Sequence, residues 1–188
     1  MKLKRLFVAV SPPSVIQQSL ADLNPHIRGV RWTDRSQMHL TLGFFPDVPE
    51  DVDLALREKL GAIEFRVFFL PIEGIGTFPP RGRGGHVKII WIGVGKGHPH
   101  LFQLHKRVQD AALAVGLEAD LRSWHAHITL ARCGDAHGGV LRKFLKSNAE
   151  LDAGMFRVDA FHLYCSELTP AGPIHTCEMT VAAAVSAA

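Results

Sequence analysis

Cysteine is scarce in this 188-residue chain: Cys133, Cys165 and Cys177 are the only three, and none forms a C-x-x-C pair. An odd count without paired spacing excludes a disulfide framework and a zinc knuckle, and a reducing cytoplasm is the simplest home. Charge of one sign is also sparse, with a net charge of +3 and a pI of 8.9. That is too mild for a protein that wraps long duplexes; a small anionic substrate or one nucleic-acid end fits better. Long hydrophobic runs are missing. Leu6 to Val10 stops at Ser11-Pro12-Pro13, short of a signal-peptide core, and Val181 to Ala188 falls well below the roughly 20 residues that cross a bilayer. Neither secretion nor a membrane is expected. P-loop, G-x-G-x-x-G, G-x-S-x-G and H-E-x-x-H signatures are also absent.

What is present is ordinary for a globular chain, with 47% hydrophobic and 21% charged residues. One domain is the default at this length, and folding buries roughly 70% of the unfolded surface. The apolar pattern predicts a strand over Leu6 to Val10 and a helix over Ser14 to Leu23. Strands follow at Val30 to Trp32 and Met38 to Phe45, then a helix over Asp51 to Ile63. Phe65 to Leu70 and Val87 to Val94 read as paired strands flanking a long loop, Gly74 to Gly85. A helix over His100 to Val115, a strand over Ala126 to Ala131 and a short helix over Gly139 to Lys146 come next. Strands Phe156 to Cys165 and Ile174 to Val181 complete the chain. Helices and hairpin-like pairs alternate without a linker, which argues for an α+β fold over a doubly wound parallel sheet.

One tetrapeptide occurs twice, His39-Leu40-Thr41-Leu42 and His127-Ile128-Thr129-Leu130, 88 positions apart and each within a predicted strand. With 11 His and seven Thr in the chain, chance places a Thr two positions after a His about 0.4 times. Side chains alternate along a strand, so each copy presents a His and a hydroxyl on one face, roughly 7 Å apart, and two leucine-like residues on the other. A cleft receiving both copies would hold two imidazoles and two hydroxyls. That set suits hydrolysis of a cyclic phosphodiester, which needs a base for water and an acid for the departing ribose oxygen. Imidazole performs either task near pH 7. The hydroxyls donate to the non-bridging phosphate oxygens.

These residues resemble the two-histidine phosphoesterases, and within them the RNA 2′,3′-cyclic phosphodiesterases, or LigT-like proteins. The resemblance spans almost the whole chain. It takes in Arg5-Leu6-Phe7-Val8-Ala9, Val30-Arg31-Trp32 before the first motif, Gly74-Ile75-Gly76-Thr77-Phe78-Pro79 ahead of Ile90-Trp91-Ile92-Gly93, and Ala131-Arg132 after the second motif. It ends in Tyr164-Cys165-Ser166-Glu167-Leu168 followed by Gly172. It implies a bilobed α+β fold over residues 1–188, a single catalytic domain of two duplicated lobes. The halves are related by a pseudo-twofold axis, each an antiparallel or mixed sheet with helices outside, and the cleft lies between them. It implies hydrolysis of RNA 2′,3′-cyclic phosphate ends, or of nucleoside 2′,3′-cyclic phosphates, to 2′-phosphomonoesters without metal or cofactor. No obligate protein partner is implied. His39 would be proton donor, His127 proton acceptor, and Thr41, Thr129 and Arg132 would bind the phosphate. Some members also join or open 2′-5′ RNA linkages, an activity the resemblance does not assign here. The chain departs from the family where Ala126 replaces a common Pro before the second His and His175 replaces a common Tyr. Strand parity also puts Arg132 on the face away from His127, so its role needs a bulge or a strand end.

Further RNA contacts are expected from Arg81 and Arg83 in a basic Gly-Pro loop, and from Trp32, Phe44 and Phe78 as base-stacking candidates. Two other readings stay open. One is a non-catalytic module that binds RNA ends in the same cleft. The other is a metal-dependent hydrolase in which His125 and His127, of like strand parity, are ligands joined by His86, His98, His100 or His105.

Overall fold

The two prolines after Val10 end the first strand because a proline carries no N–H for the ladder. This strand is β1 (Lys4–Val10), and helix α1 (Ser14–Asp22) follows Pro13 and buries Ile16 and Leu20. The structure, a computed structural model, describes residues 3–79, 86–95, 98–118, 124–134, 138–170 and 172–184. β2 (Val30–Trp32) leads through a short 3₁₀ turn, Arg35–Gln37, into β3 (Leu40–Val48). The Asp34 carboxylate caps that turn, accepting from the Ser36 backbone N–H at 2.9 Å. α2 (Glu50–Gly61) carries Glu50, Asp51 and Asp53 in its first turn and Lys59 in its last, matching the helix dipole. Then come β4 (Phe68–Phe78), β5 (Ile89–Gly93), α3 (Pro99–Ala114) and β6 (His127–Cys133). α4 (Gly138–Ser147), β7 (Asp152–Val158), β8 (Ala160–Thr169) and β9 (Gly172–Ala182) complete the chain.

All nine strands form one antiparallel sheet in the order β7-β4-β5-β6-β3-β1-β8-β9, with β2 on β6. The order is balanced about its middle, because β6-β5-β4-β7 and β3-β1-β8-β9 each run outward from a strand that carries one His-x-Thr motif. The two inner strands meet at a single registered pair, Leu40 opposite Ile128. Helices cross this seam. α3, which follows β5, packs on β3, while α1, which follows β1, contacts β7. The core lies on the helix side, where Leu6, Val8, Leu40, Ile90, Ile92, Ile128 and Leu130 are fully buried.

Two expectations need correction. Gly74 to Phe78, read as loop, is the end of β4, and Ile75 to Phe78 pair with Ile92 to Ile89. The ladder there is satisfied by backbone groups, so glycines do not break it. Phe68 to Pro71 pair instead with β7, while Phe65 precedes the strand. The strand expected over Phe156 to Cys165 is two strands, broken at Asp159, one at the edge of the sheet and one near the opposite edge. A single residue joins them, so the sheet curves until those ends come together.

Candidate active site

Leu40 and Ile128 face each other with no exposure, so both point into the core. Their neighbours point the other way: His39 and Thr41 from one half, His127 and Thr129 from the other, on a common face. His127 opens β6, and His39 immediately precedes β3. The sheet's seam thus assembles the four residues that the repeat singled out.

Both imidazoles are tethered in the same way. His39 Nδ1 lies 2.7 Å from the Gln37 carbonyl oxygen, and His127 Nδ1 lies 2.7 Å from that of His125. A carbonyl only accepts, so each Nδ1 carries the proton and donates it, leaving Nε2 for chemistry. Packing fixes the rings further. His39 stacks on Phe7 at 4.7 Å, Phe7 stacks on Tyr164 at 5.0 Å, and His175 meets His39 edge-on at 5.7 Å. Across the seam, His127 meets Phe78 edge-on at 5.1 Å and lies 6.1 Å from Trp91. Trp91 stands opposite Thr129, and its indole lies over Gly76, where an added Cβ would come within 2.1 Å of the ring. Only glycine leaves that space.

The two halves are not electrostatically equal. Burial, and after it the nearby His175 and His127, push His39 down to about 4, against the hydrogen bond to Gln37. His127 is also held below its ordinary value, by burial first and then by His125, against its own backbone bond. Both rings are therefore neutral near pH 7. Each offers an Nε2 lone pair, and bringing in an anion favours a proton there.

A bulge follows each motif. Thr41 pairs with Ala9 and Gly43 with Val8, leaving Leu42 as the extra residue; Thr129 pairs with Trp91 and Ala131 with Ile90, leaving Leu130. Each bulge turns the next two residues toward the helices and returns the third to the motif's face. On the first strand Gly43 faces the helices, where a Cβ would press on Val108 and Gln109 of α3; Phe44 comes back to the site. On the second strand, Arg132 comes back to the face of His127 and Thr129, which parity alone had denied it. The bulge carbonyls are taken up from the other half. Trp124 Nε1 donates to Thr41 O at 3.2 Å, and Gln109 Nε2 donates to Leu42 O at 2.9 Å. His105 Nδ1 also donates to Leu42 O, at 2.7 Å, and its ring stacks on Trp124 at 3.9 Å.

Of the other expected residues, Phe44 is 43% exposed, with the Arg5 guanidinium 4.4 Å from its ring centroid. Trp32 is not at the site. Its indole N–H donates to Leu20 O at 3.1 Å and its ring meets Phe144 of α4 edge-on, because it pairs with core-facing Ala131. Arg81 and Arg83 lie outside the described residues. His125 lies 6.1 Å from His127, and among the described residues no third His, Cys, Asp or Glu joins them in a metal-binding group. Sequence reading missed Phe7, Tyr164, Trp124, His105 and Gln109 as supports of the site. Phe7 and Tyr164 are brought in by the β1–β8 register, with Phe7 opposite Tyr164, and nothing local in sequence marks them.

Comparison with known proteins shows the family and the fold. Residues 10–169 match the model of the 2′-5′ RNA ligase superfamily, and the chain belongs to that superfamily. An RNA 2′,3′-cyclic phosphodiesterase of Aeropyrum pernix is 30% identical over 158 residues, which is 84% of this chain and 88% of that protein. One from Archaeoglobus fulgidus is 30% identical over 174 residues, 91% of this chain and 96% of its own. The apo crystal structure of Escherichia coli LigT shares the fold with a TM-score of 0.78 at 25% identity, covering 97% of this chain and 99% of that one. No described helix is long and apolar enough to cross a membrane.

Proposed function

We propose that this chain is a single catalytic domain of two duplicated lobes that hydrolyses RNA 2′,3′-cyclic phosphate ends, or nucleoside 2′,3′-cyclic phosphates, to 2′-phosphomonoesters, without a metal cofactor, in the cytoplasm. The observation that carries the reading is the pair of Nδ1-tethered imidazoles on one face with two threonines. His127 takes a proton from water as its oxygen attacks phosphorus. The bond from phosphorus to the ribose 3′-oxygen breaks, and His39 gives that oxygen its proton. The product is a 2′-phosphate with a free 3′-hydroxyl. Thr41 and Thr129 donate to the non-bridging oxygens, and Arg132, re-aimed by the Leu130 bulge, adds positive charge there. His39, held neutral by burial, takes its proton from solvent when the substrate anion lies beside the ring and favours imidazolium. The assignment of His39 as donor and His127 as acceptor follows the family pattern.

The test is turnover of adenosine 2′,3′-cyclic phosphate by His39→Ala and His127→Ala. Each variant is expected to keep its fold and lose about 10²- to 10⁴-fold in kcat. Near-native turnover by both would remove the reading.

A further inference from the structure

Beside Arg132, which the proposed chemistry uses, the sheet carries a second cation, Arg31, which that chemistry does not explain. Arg31 of β2 stands directly opposite Arg132 of β6, and both side chains are exposed. Directly opposed residues on an antiparallel pair have their Cβ atoms roughly 5 Å apart, and like charges there destabilise the sheet. Among the described residues no acid forms an ion pair with either. The ion pairs among the described residues join Lys4 and Arg57 to Asp53 and Glu178, Lys106 to Asp110, and Arg157 to Asp159. Both arginines instead border an open hollow of about 490 Å³, bounded by Gly29, Val30, Arg31, Arg132, Cys133 and Gly134.

The face matters as much as the charge. Trp32, next to Arg31, is turned to the helices with Ala131. Arg31 and Arg132 therefore lie on the opposite face, the one that carries His127 and Thr129. Along that face the order is Thr129, then Arg132 three residues up the strand, then Arg31 one strand across. Three residues span roughly 10 Å at about 3.3 Å per residue. A long guanidinium side chain at 132 reaches back toward the reacting phosphate, and Arg31 lies further out, where a single cyclic nucleotide has no charge to offer it. A guanidinium presents a planar fork of donors that suits a phosphodiester.

We propose that Arg31, beside Arg132, binds the phosphodiester on the 5′ side of the terminal nucleotide, so that the site selects RNA ends over free cyclic nucleotides. This rests on the cyclic phosphodiesterase reading. The hollow beside the two arginines gives the RNA strand room there.

The experiment compares kcat/KM for adenosine 2′,3′-cyclic phosphate, for the dinucleotide with the same cyclic end, and for that dinucleotide with an uncharged methylphosphonate linkage. The native protein is expected to prefer the charged dinucleotide over the mononucleotide at least tenfold, and the uncharged linkage is expected to forfeit most of that preference. Arg31→Ala is expected to collapse the preference about tenfold, and Arg31→Lys to keep part of it. If the uncharged dinucleotide performs as well as the charged one, or Arg31→Ala keeps the full preference, the subsite is overturned while the cyclic phosphodiesterase reading stands. If no cyclic phosphate is turned over by the native protein, both fall together.

Discussion

Leu40 stands directly opposite Ile128, and this one buried pair sets the geometry of the whole site. Continuing the antiparallel count past it puts His39 across from Thr129 and Thr41 across from His127. A hydroxyl from each half thus faces the imidazole of the other, which makes two matched imidazole-hydroxyl pairs across the seam. A one-residue slip of either strand would turn its histidine and threonine into the core.

The first prediction concerns protons. His39 is expected to titrate near 4 in the free protein and to move up when inorganic phosphate binds, because an anion beside the ring favours imidazolium. Histidine NMR with and without phosphate measures this. The sign for stability follows from linkage. The folded value lies below the ordinary 6.5, so between about 4 and 6.5 the unfolded chain binds more protons than the native one. His39 therefore opposes folding increasingly as the pH falls through that window. His39→Phe, which keeps a ring on Phe7, is expected to flatten that part of the stability profile. An unshifted His39 resonance on phosphate binding would contradict the account.

The second concerns the Thr41 bulge. Trp124→Phe keeps a ring to stack on His105 but removes the N–H that serves the Thr41 carbonyl. An unpaired buried carbonyl costs roughly 1–3 kcal/mol. If half of that appears as misplacement of the Thr41 hydroxyl, kcat/KM falls about two- to thirteenfold. A matching fall in melting temperature is expected, with the pH profile unchanged. Loss of stability without any loss of kcat/KM would confine Trp124 to the fold.

Much of the site was legible because its signal is local. Two His-x-Thr repeats carry residue identity, spacing and strand parity together, and the register then brings them to one face. What escaped the sequence was the return of Arg132. A bulge is set by the two partner strands jointly, and Leu130 looks like any core leucine in its own strand. Trp32 misled for the opposite reason: an indole next to a basic residue suits RNA, but its parity with Ala131 commits it to the helices. Phe7 and Tyr164 come from strands about 150 residues apart in the chain, a relationship no periodicity reveals. The helices were read closely because their apolar spacing is self-contained, as in α3 with Leu101, Leu104, Val108 and Ala111 buried.

The third prediction separates structural charge from catalytic charge. Asp53 is 2% exposed and accepts from Lys4 at 2.6 Å and from Arg57 at 2.7 Å, tying α2 to β1. Burial alone would raise its carboxyl, but the hydrogen bonds from Arg57 and Lys4 hold it below the usual range. The stability it contributes is present above its ordinary value of 3.8 and is lost as the pH falls through the depressed one. Asp53→Asn is expected to cost about 2 kcal/mol, less than a fully enclosed pair because both cations remain partly open to solvent. Asp110→Asn, which breaks the exposed pair with Lys106 on α3, is expected to cost a few tenths of a kcal/mol at most. Chemical denaturation of the two variants reads the contrast; equal effects would contradict the assignment.

The measurement closest to the central claim is the identity of the product. Purified protein in excess EDTA is given a short RNA ending in a 2′,3′-cyclic phosphate, and the terminal phosphate isomer is determined. The two-histidine account predicts a 2′-phosphomonoester, formed at the same rate with and without EDTA and lost in His127→Ala. Turnover that stops in EDTA and returns with zinc would contradict it in favour of a metal held by His125 and His127. Tight binding of the RNA end without any product would mean that the cleft recognises the end but does not cut it.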